Sequence, residues 1–467
     1  MPATTYLPLG PLRRELARLA PAELSDRLHA ARTLSRLRGL QYIDDDERPK
    51  TIELALVPWL LTPAQLARFQ QVAADLTDAL LRLPALYAAH PAVRQVIPLD
   101  DVQESWAQLA HHPRSRPWAV LGRMDSTAVF DRADWDRSFF MLEPNAVGVG
   151  GVHYAPTSCG IVLDLLSDVL HRAYPRIRFA PTPDPRELLV EEMALVAKRL
   201  RRPLRRIALL ENAEFTTGTD EFARLAVALT DAGLPAIVAD PRDLVAENGV
   251  FKAKGVPVDL LYRDCELTEF VEMEASGRRL TGLRRAITEG RLVSGLSWEF
   301  DQKSCWEIFT DPTWERYFTP RQRRLFRDHL PWTRLVRAGR VAGPDGRSVD
   351  LTDYIRRHRE SLVLKPNTLY GGQGVIVGRA VTQPVWERTL ATALRGPQPY
   401  VVQSYAPIAQ HQFPRLDGKR VANAERRVVS GFFFNSSAIG LVGRFSENPV
   451  VNISRGGGLL AALVASS

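Results

Sequence analysis

A lysine and three closely spaced glycines lie between two apolar runs in residues 362–377. Lys365 ends the first run, and Gly371, Gly372 and Gly374 follow before the second run begins. The pattern predicts a β-hairpin with a wide tip. Glycine lets backbone N–H groups lie close to an anion, and a fixed cation beside them neutralises polyphosphate charge. A tight hairpin with a solvated lysine explains the same residues equally well, so this stretch alone leaves both interpretations open.

Two predicted strands in the first half of the chain each end in two polar residues that are separated by a single residue. The first ends in Arg123 and Asp125, and the second ends in Glu143 and Asn145. Side chains two apart on a strand share one face, so the oxygens of Glu143 and Asn145 can reach one Mg²⁺. The alternative is a strand end followed by a polar turn, and spacing alone favours that alternative.

Further cationic residues are suited to binding a phosphate or stabilising its charge. Lys303 precedes a short predicted helix, where a cation opposes the helix dipole and therefore calls for an anion. Arg444 and Arg455 are candidates for stabilising a transferring phosphoryl group. The glycines after Arg455 are typical of a mobile lid over such a group. The predicted lid consists of Gly456, Gly457 and Gly458.

Three other residues are weaker candidates for contact with a substrate. His153 and Tyr154 follow a glycine-rich segment that permits close approach of a ligand, although packing in a buried loop is the favoured interpretation. Arg263 ends a predicted strand, and contact with a substrate or nucleotide and a structural salt bridge are equally open interpretations.

The order of these motifs resembles that of the circularly permuted ATP-grasp family. This family includes the eukaryotic-type glutathione synthetases and the glutathionylspermidine synthetases. The resemblance rests on the loop at 365–375 and on the Arg-x-Asp and Leu-Glu-x-Asn motifs far upstream of it. In unpermuted ATP-grasp enzymes the acidic metal motif follows the glycine loop instead. The resemblance spans roughly residues 45–465.

The resemblance implies roles for individual residues of this chain. Glu143 and Asn145 take the positions of metal ligands, and Arg123 takes that of an arginine near the substrate, with Asp125 beside it. Gln403 stands in a strand that resembles the segment gripping adenine. The implied ATP-binding residues are Lys303, Lys365, Tyr370, Gly371, Gly372, Gln373, Gly374, Gln403 and Tyr405.

One position departs from the family pattern. Related sequences usually carry an acidic metal ligand just before the Tyr-Gly-Gly of the loop, where this chain has Leu369. Three explanations stay open: Glu425 or Asp417 replaces the ligand from a neighbouring strand, the site holds one metal, or the enzyme is weakened or inactive.

The predicted fold is mixed α/β, a circularly permuted ATP-grasp fold with an inserted parallel domain. Residues 1–110 form a mainly helical region, in which Thr62 caps a helix start. Residues 111–200 form the metal-binding part of the core. Residues 201–290 alternate strand, helix and strand, which predicts a parallel α/β insert that contacts the substrate. Residues 291–467 form the nucleotide-binding lobe with its glycine-rich loops.

Composition supports a globular protein without a nucleic-acid or membrane partner. Apolar residues make up 45% and charged residues 24% of the 467 residues. The net charge is +8, but 53 acidic residues are interleaved with 61 basic ones, and no long basic run occurs. The three cysteines are far apart, which argues against disulfides. Without a signal segment or a membrane-length apolar run, we expect a cytoplasmic protein; homodimerisation stays open.

The implied activity is an ATP- and Mg²⁺-dependent carboxylate–amine ligase. ATP would phosphorylate a small-molecule or peptide carboxylate, and an amine acceptor would attack the acyl phosphate, releasing ADP and phosphate. Two alternatives come from other classes. A non-catalytic ATP-binding protein of the same fold is favoured by Leu369. A nucleic-acid-binding protein is favoured only by the net charge.

Overall fold

The computed structural model describes residues 5–43, 48–111, 120–214, 221–369, 371–418 and 420–466. Within these residues the chain has a mixed α/β fold, as predicted, and no helix is long and apolar enough to cross a membrane. The helices are α1 (Gly10–Arg18), α2 (Pro21–Leu37), α3 (Pro63–Leu80), α4 (Leu83–Ala89), α5 (Pro91–Val96), α6 (Asp101–Ala107), α7 (Tyr154–Ala173), α8 (Pro185–Leu200), α9 (Glu221–Asp231), α10 (Leu267–Ala275), α11 (Thr281–Thr288), α12 (Cys305–Thr310), α13 (Pro320–His329), α14 (Leu351–Arg357) and α15 (Gln383–Arg395).

The strands carry the functional side chains and are numbered in the same way. They are β1 (Gln41–Ile43), β2 (Pro49–Thr51), β3 (Glu53–Leu54), β4 (Trp59–Leu61), β5 (Gly122–Ser126), β6 (Met141–Asn145), β7 (Arg178–Pro181), β8 (Ile207–Leu210), β9 (Ala236–Ala239), β10 (Leu244–Glu247), β11 (Val250–Ala253), β12 (Val256–Val258), β13 (Leu260–Arg263), β14 (Leu292–Val293), β15 (Thr333–Leu335), β16 (Arg340–Ala342), β17 (Ser348–Asp350), β18 (Leu362–Pro366), β19 (Ile376–Val377), β20 (Tyr400–Ser404), β21 (Ala409–Asp417), β22 (Arg420–Phe434), β23 (Ile439–Ser446), β24 (Gly458–Leu460) and β25 (Ala462–Ser466).

The helix α3 begins as its sequence predicts. At the start of α3, the Thr62 hydroxyl accepts a hydrogen bond from the Gln65 backbone N–H at 3.2 Å, and the Gln65 side chain accepts one from the Thr62 N–H at 2.9 Å. This reciprocal capping satisfies two N–H groups that the first helical turn leaves without partners. The same region also contributes β3 and β4, which pair with strands from the other end of the chain.

The largest sheet has the strand order β3-β24-β23-β22-β5-β6 in the described residues, and β21 pairs with the remaining length of β22. Its neighbouring strands are antiparallel except for β24 and β3, which are parallel. The C-terminal β25 lies parallel to β4 in an adjoining sheet. The two ends of the chain therefore complete one common core, in which N-terminal helices cover the strands.

A parallel sheet with the order β14-β13-β8-β9 lies mostly within the predicted α/β insert, and its strand β14 follows the predicted end of the insert at residue 290. All three strand pairings in this sheet are parallel, as the alternation of strands and helices predicts. It has a hydrophobic core of its own, built around residues such as Trp106, Phe251 and Phe270. The carboxyl ends of β8 and β13 consequently meet at one edge of the sheet.

The glycine-rich stretch belongs to a third, antiparallel sheet with the order β15-β20-β18-β19. β18 and β19 pair as the predicted hairpin, with Val363 opposite Val377. A separate core that includes Trp332, Leu364 and Trp386 supports this sheet. The hairpin tip therefore projects from a rigid base.

The predicted glycine lid near the C-terminus is wrong, because two of its glycines are packed into the large sheet. Gly457 and Gly458 are buried, and Gly458 pairs with Phe445 as the first residue of β24. A Cβ atom at Gly458 would lie 2.2 Å from the Phe445 ring and 2.6 Å from the Glu53 carbonyl oxygen. Gly456 is exposed with φ +79°, so it provides a turn ahead of the strand. These glycines serve close strand packing.

We predict that Gly458→Ala lowers the free energy of unfolding by about 1–3 kcal/mol, because the added methyl group must displace a buried ring and a strand backbone. Chemical denaturation measures the change. The control is Gly160→Ala within α7, where the nearest atom to a new Cβ is the flexible Arg38 guanidinium at 3.6 Å. Helix propensity favours that change by about 1 kcal/mol. Unchanged stability of Gly458→Ala would contradict the close pairing of β24.

Candidate functional site

A cavity of about 630 Å³ lies where the three sheets meet. The large sheet, the edge of the parallel sheet and the glycine hairpin all contribute to its wall. Most of the residues singled out from the sequence line it, although they are distant along the chain. The lining residues among them are Arg123, Asp125, Glu143, Asn145, Tyr154, Lys303, Lys365, Gly371, Gly372, Gln373, Gln403, Tyr405 and Arg444.

The two polar pairs of β5 and β6 share one face of the large sheet. The strand register places Arg123 opposite Asn145 and Asp125 opposite Glu143. The Asn145 side-chain amide donates to the Arg123 carbonyl oxygen at 3.4 Å. The Glu143 side chain retains 25% exposure. Alternation along both strands thus turns all four side chains towards the cavity.

Asp125 is the electrostatic centre of this face. Its carboxylate accepts a hydrogen bond from Arg123 Nε at 2.8 Å and lies 2.7 Å from Arg444 Nη2. Burial by itself raises the pKa of Asp125, but the two guanidinium groups outweigh it and lower the pKa to about 2. Two cations thus share one anion, and the group keeps a net positive charge beside the cavity.

A glycine on the neighbouring strand makes room for this ion group. Gly431 lies opposite Asp125 on β22. A Cβ atom there would lie 3.0 Å from Cδ of Arg123 and 3.2 Å from Oδ1 of Asp125. Arg123 is further held by donation from Nη1 to the Gly150 carbonyl oxygen at 2.6 Å.

Lys365 lies in the wall contributed by the hairpin, and Gln403 holds it. Lys365 Nζ donates to Gln403 Oε1 at 2.7 Å. The Gln403 amide donates to the Leu142 carbonyl oxygen at 3.2 Å and to the Thr333 hydroxyl at 2.9 Å. Burial lowers the pKa of Lys365, while the negative charge of Glu143 opposes that shift. Gln403 therefore links the hairpin sheet to β6, and its buried side chain is engaged in holding the lysine.

The predicted adenine-gripping strand is more enclosed than the resemblance implies. β20 is paired on both sides, with β15 and with β18. Its backbone from Tyr400 to Gln403 is therefore used within the sheet. The segment after it, which includes Tyr405, Ala406 and Ile408, lines the cavity instead.

Lys303 connects the hairpin to the candidate metal ligand. It lies just before α12, and its Nζ donates to the Leu369 carbonyl oxygen at 2.8 Å. The same nitrogen lies 3.6 Å from Oε2 of Glu143. Leu369 thus contributes its backbone carbonyl to the site and is one of the residues that line the cavity.

The hairpin tip and a C-terminal loop form adjoining parts of the cavity wall. Gly371, Gly372 and Gly374 all have positive φ values, between +66° and +70°, which favour glycine. A Cβ atom at Gly372 would lie 2.7 Å from a methyl group of Val450. Residues 449–453 line the cavity beside this tip, in the place where the triple glycine was expected. Tyr370 lies outside the described residues.

Four other predicted residues lie away from the cavity. Gly374 packs against the ring of Pro366, whose Cγ would lie 2.7 Å from a Cβ atom added at the glycine. His153 Nε2 donates to the Arg38 carbonyl oxygen at 2.9 Å, and burial lowers its pKa. Arg263 is fully buried against Glu299 at 2.5 Å, so its role is a structural salt bridge. Arg455 is exposed and does not line the cavity wall.

Sequence reasoning missed an acidic wall contributed by the parallel domain. Glu221, Asp264, Glu266 and Glu269 all line the cavity, at the start of α9 and after β13. Burial, reinforced by neighbouring carboxylates, raises the pKa of Asp264 to about 7 and that of Glu266 to about 8. The signal was present, since polar residues directly follow the carboxyl end of a parallel strand, where ligands bind in open α/β sheets.

The candidate metal ligands form a small set. No group of three or more histidine, cysteine, aspartate or glutamate side chains in the described part of the chain is arranged to hold a metal ion. Neither Glu425 nor Asp417 lines the cavity, so neither stands in for the acid absent at Leu369. Besides Glu143 and Asn145, the carboxylate of Glu266 lines the cavity near Lys303, whose charge acts on it.

Comparisons with known proteins concern the fold. No protein-family model and no curated protein sequence matches the chain. Among solved structures, the apo form of a glutathione synthetase-like effector from Globodera pallida matches with a TM-score of 0.61. The match covers 95% of this chain and 98% of that protein at 12% sequence identity. This chain therefore has a glutathione synthetase-like fold.

We predict that Asp125→Asn destabilises the fold by about 3–5 kcal/mol at neutral pH, because two buried guanidinium groups lose their anion. The folded-state pKa of Asp125 lies below its unfolded value, so its contribution is present above about pH 4 and is lost as the pH falls towards 2. The stability difference from wild type should therefore shrink by about 2 kcal/mol over that interval.

Thermal melts of both proteins between pH 7 and pH 2.5 measure this difference. Asp345→Asn is the control, since its carboxylate is 60% exposed beside Arg347. It should leave the melting temperature unchanged. A difference between Asp125→Asn and wild type that stays constant down to pH 2.5 would show that the two arginines do not hold Asp125 ionised.

Proposed function

We propose that this protein is an ATP-dependent carboxylate–amine ligase with a circularly permuted ATP-grasp fold. The observation that carries the proposal is one cavity wall that combines Lys303, Lys365 and the glycine tip with the oxygen pair of Glu143 and Asn145. The strand that bears this pair precedes the hairpin in the chain yet adjoins it in space. That order supports the permutation.

The polyphosphate of ATP would lie between the two lysines and the hairpin tip. Positive φ values in successive residues turn backbone N–H groups to one side, which suits an anion. Lys365 is held in place by Gln403, so it offers a positioned charge rather than a mobile one. Apolar side chains of Val363, Val377 and Ile408 line the same cavity and would receive the nucleobase.

The donor set fits Mg²⁺ bound with few protein ligands. Glu143 and Asn145 offer hard oxygen donors on one strand face, and Mg²⁺ in phosphoryl-transfer sites typically completes its coordination with phosphate oxygens and water. A bound Mg²⁺ would neutralise charge on those phosphate oxygens.

The arginines would serve the acyl-transfer chemistry. A substrate carboxylate oxygen would attack the γ-phosphorus of ATP, ADP would leave, and an acyl phosphate would form. A neutral amine would then attack the acyl carbon, lose a proton and displace phosphate. Arg123 and Arg444 retain a net positive charge after pairing with Asp125, and they line the cavity where these anions would lie.

A non-catalytic ATP-binding protein of the same fold is the second candidate. The observation that favours it is Leu369, which lines the cavity at the position where the family it resembles usually carries an acid. Nucleotide binding without turnover would identify this alternative.

We predict that Lys365→Met weakens Mg·ATP binding at least about tenfold, since it removes a charge-assisted contact but keeps the buried stem. Glu143→Gln should remove most of the Mg²⁺ dependence of binding. Isothermal titration calorimetry measures both effects, and ADP release is then followed with pooled carboxylic acids and amines. The matched controls are Lys198→Met and Glu187→Gln, two exposed positions on α8.

ADP formation that requires both an acid and an amine pool would support the ligase. ATP binding by wild type with no turnover in any pool would favour the non-catalytic alternative. Absence of ATP binding by the folded wild-type protein would contradict both.

A further inference from the structure

The cavity has an apolar wall apart from the side chains assigned to the nucleobase. We infer that this wall receives the body of the acid substrate, and that the acid is a monocarboxylate with an uncharged aliphatic or aromatic body. The inference rests on the proposed function, because it names the class of one substrate of that site. It is carried by the position of Arg444, whose directly opposite neighbours in the sheet are both apolar.

Arg444 is the arginine of the ion group that retains an unused hydrogen-bond donor. Arg123 donates from Nε and Nη2 to Asp125 and from Nη1 to the Gly150 carbonyl oxygen. Arg444 contacts Asp125 through Nη2 at 2.7 Å, while its Nε is buried and donates to no described residue. A buried N–H group without an acceptor is unfavourable, and a carboxylate is a strong acceptor for a guanidinium group. We therefore place the substrate carboxylate at Arg444.

The strand register surrounds Arg444 with apolar side chains on the same face of the large sheet. Val429 of β22 lies directly opposite it on one side, and Leu459 of β24 lies opposite it on the other. Val442 precedes it by two residues on β23 and therefore shares that face. All three line the cavity and retain 1–4% exposure. The arginine is thus a single charge beside an apolar floor.

Half-buried aliphatic side chains complete the wall around this floor. They come from the loop at 449–453 and from β1, which contacts the short helical turn Ile453–Arg455. The apolar wall consists of Ile43, Val429, Val442, Val450, Val451, Ile453 and Leu459. Tyr42 and Asn452 lie beside it, and no charged side chain from the described residues of β1 or of the loop lines the cavity.

The chemistry of the acid follows from this arrangement. An apolar body placed against the half-buried side chains removes their surface from water, which favours binding. A second charged group on the body would be desolvated against the same side chains without a charged partner, which is unfavourable. One carboxylate at Arg444 and an uncharged body on the apolar wall satisfy both conditions.

The place of this carboxylate fits phosphoryl transfer from ATP. The charges of Asp125 and Glu143 both act on Lys365, so the ion group around Arg444 adjoins the lysine that would hold the phosphates. A Cβ atom at Gly372 would lie 2.7 Å from a methyl group of Val450, so the apolar wall also adjoins the hairpin tip. An acid held by Arg444 would therefore lie beside the phosphate wall.

Calorimetric titration of octanoate into the protein, with and without Mg·ADP, tests the inference. We expect wild type to bind octanoate, and to bind octanedioate and acetate at least about tenfold more weakly. Arg444→Met should weaken octanoate binding at least about tenfold, and so should the double variant that combines Ile43→Asn with Ile453→Asn. The matched control combines Val227→Asn with Val245→Asn, two exposed positions away from the cavity, and should bind octanoate as wild type does.

The outcomes separate this inference from the proposed function. The comparison of the three acids needs wild type alone, so it decides the inference even if a variant does not fold. Absence of octanoate binding, equal affinity for octanoate and octanedioate, or unchanged octanoate affinity in the folded variants would overturn the apolar wall as an acid subsite even if ATP binds. Octanoate binding that depends on Arg444 and the apolar wall in a protein that does not bind Mg·ATP would uphold the subsite and overturn the ligase.

Discussion

The site depends on one buried carboxylate shared by two arginines. Asp125 holds Arg123 and Arg444 at 2.8 and 2.7 Å. A single buried arginine with its own partner would be neutral overall, whereas two cations on one anion leave positive charge beside the cavity. The arrangement needs strands β5, β22 and β23 in matching register, with Gly431 between them. The large sheet therefore sets the charge of this wall.

The second constraint is the way in which the three sheets share their cores. One face of the parallel sheet, with Leu209, Leu260 and Tyr262, joins the apolar cluster of the large sheet, while its other face and the hairpin sheet each pack a separate cluster. Gln403 crosses the boundary between the hairpin sheet and the large sheet, since its side chain bonds Lys365 in one and the Leu142 carbonyl oxygen in the other. The walls contributed by the large sheet and the hairpin carry Arg123, Lys365 and Glu143, and the wall contributed by the parallel domain carries carboxylates.

Several features could be predicted because they depend on neighbouring residues. Alternation placed Glu143 and Asn145 on one strand face, and the glycines of 371–374 marked a hairpin tip with positive φ. The capping residue Thr62 and the parallel strands of the insert also follow from local patterns. The glycines at 456–458 were wrongly predicted to form a mobile lid, because glycine occurs both in flexible loops and where strands pack closely. The close contacts of Gly458 with Phe445 and Glu53 show that strand packing is the reason for glycine here.

The sequence by itself determined the helices and strands and the polar residues at their ends. Secondary-structure propensity and the alternation of side chains along a strand depend on only a few neighbouring residues. The tertiary structure alone decided which of those residues meet. It placed Arg263 in a structural salt bridge, engaged Gln403 in holding Lys365, and brought Asp264 into the same cavity as Glu143. Such meetings depend on how separate sheets dock, and a side chain's charge and partners are set by that docking rather than by its chain neighbours.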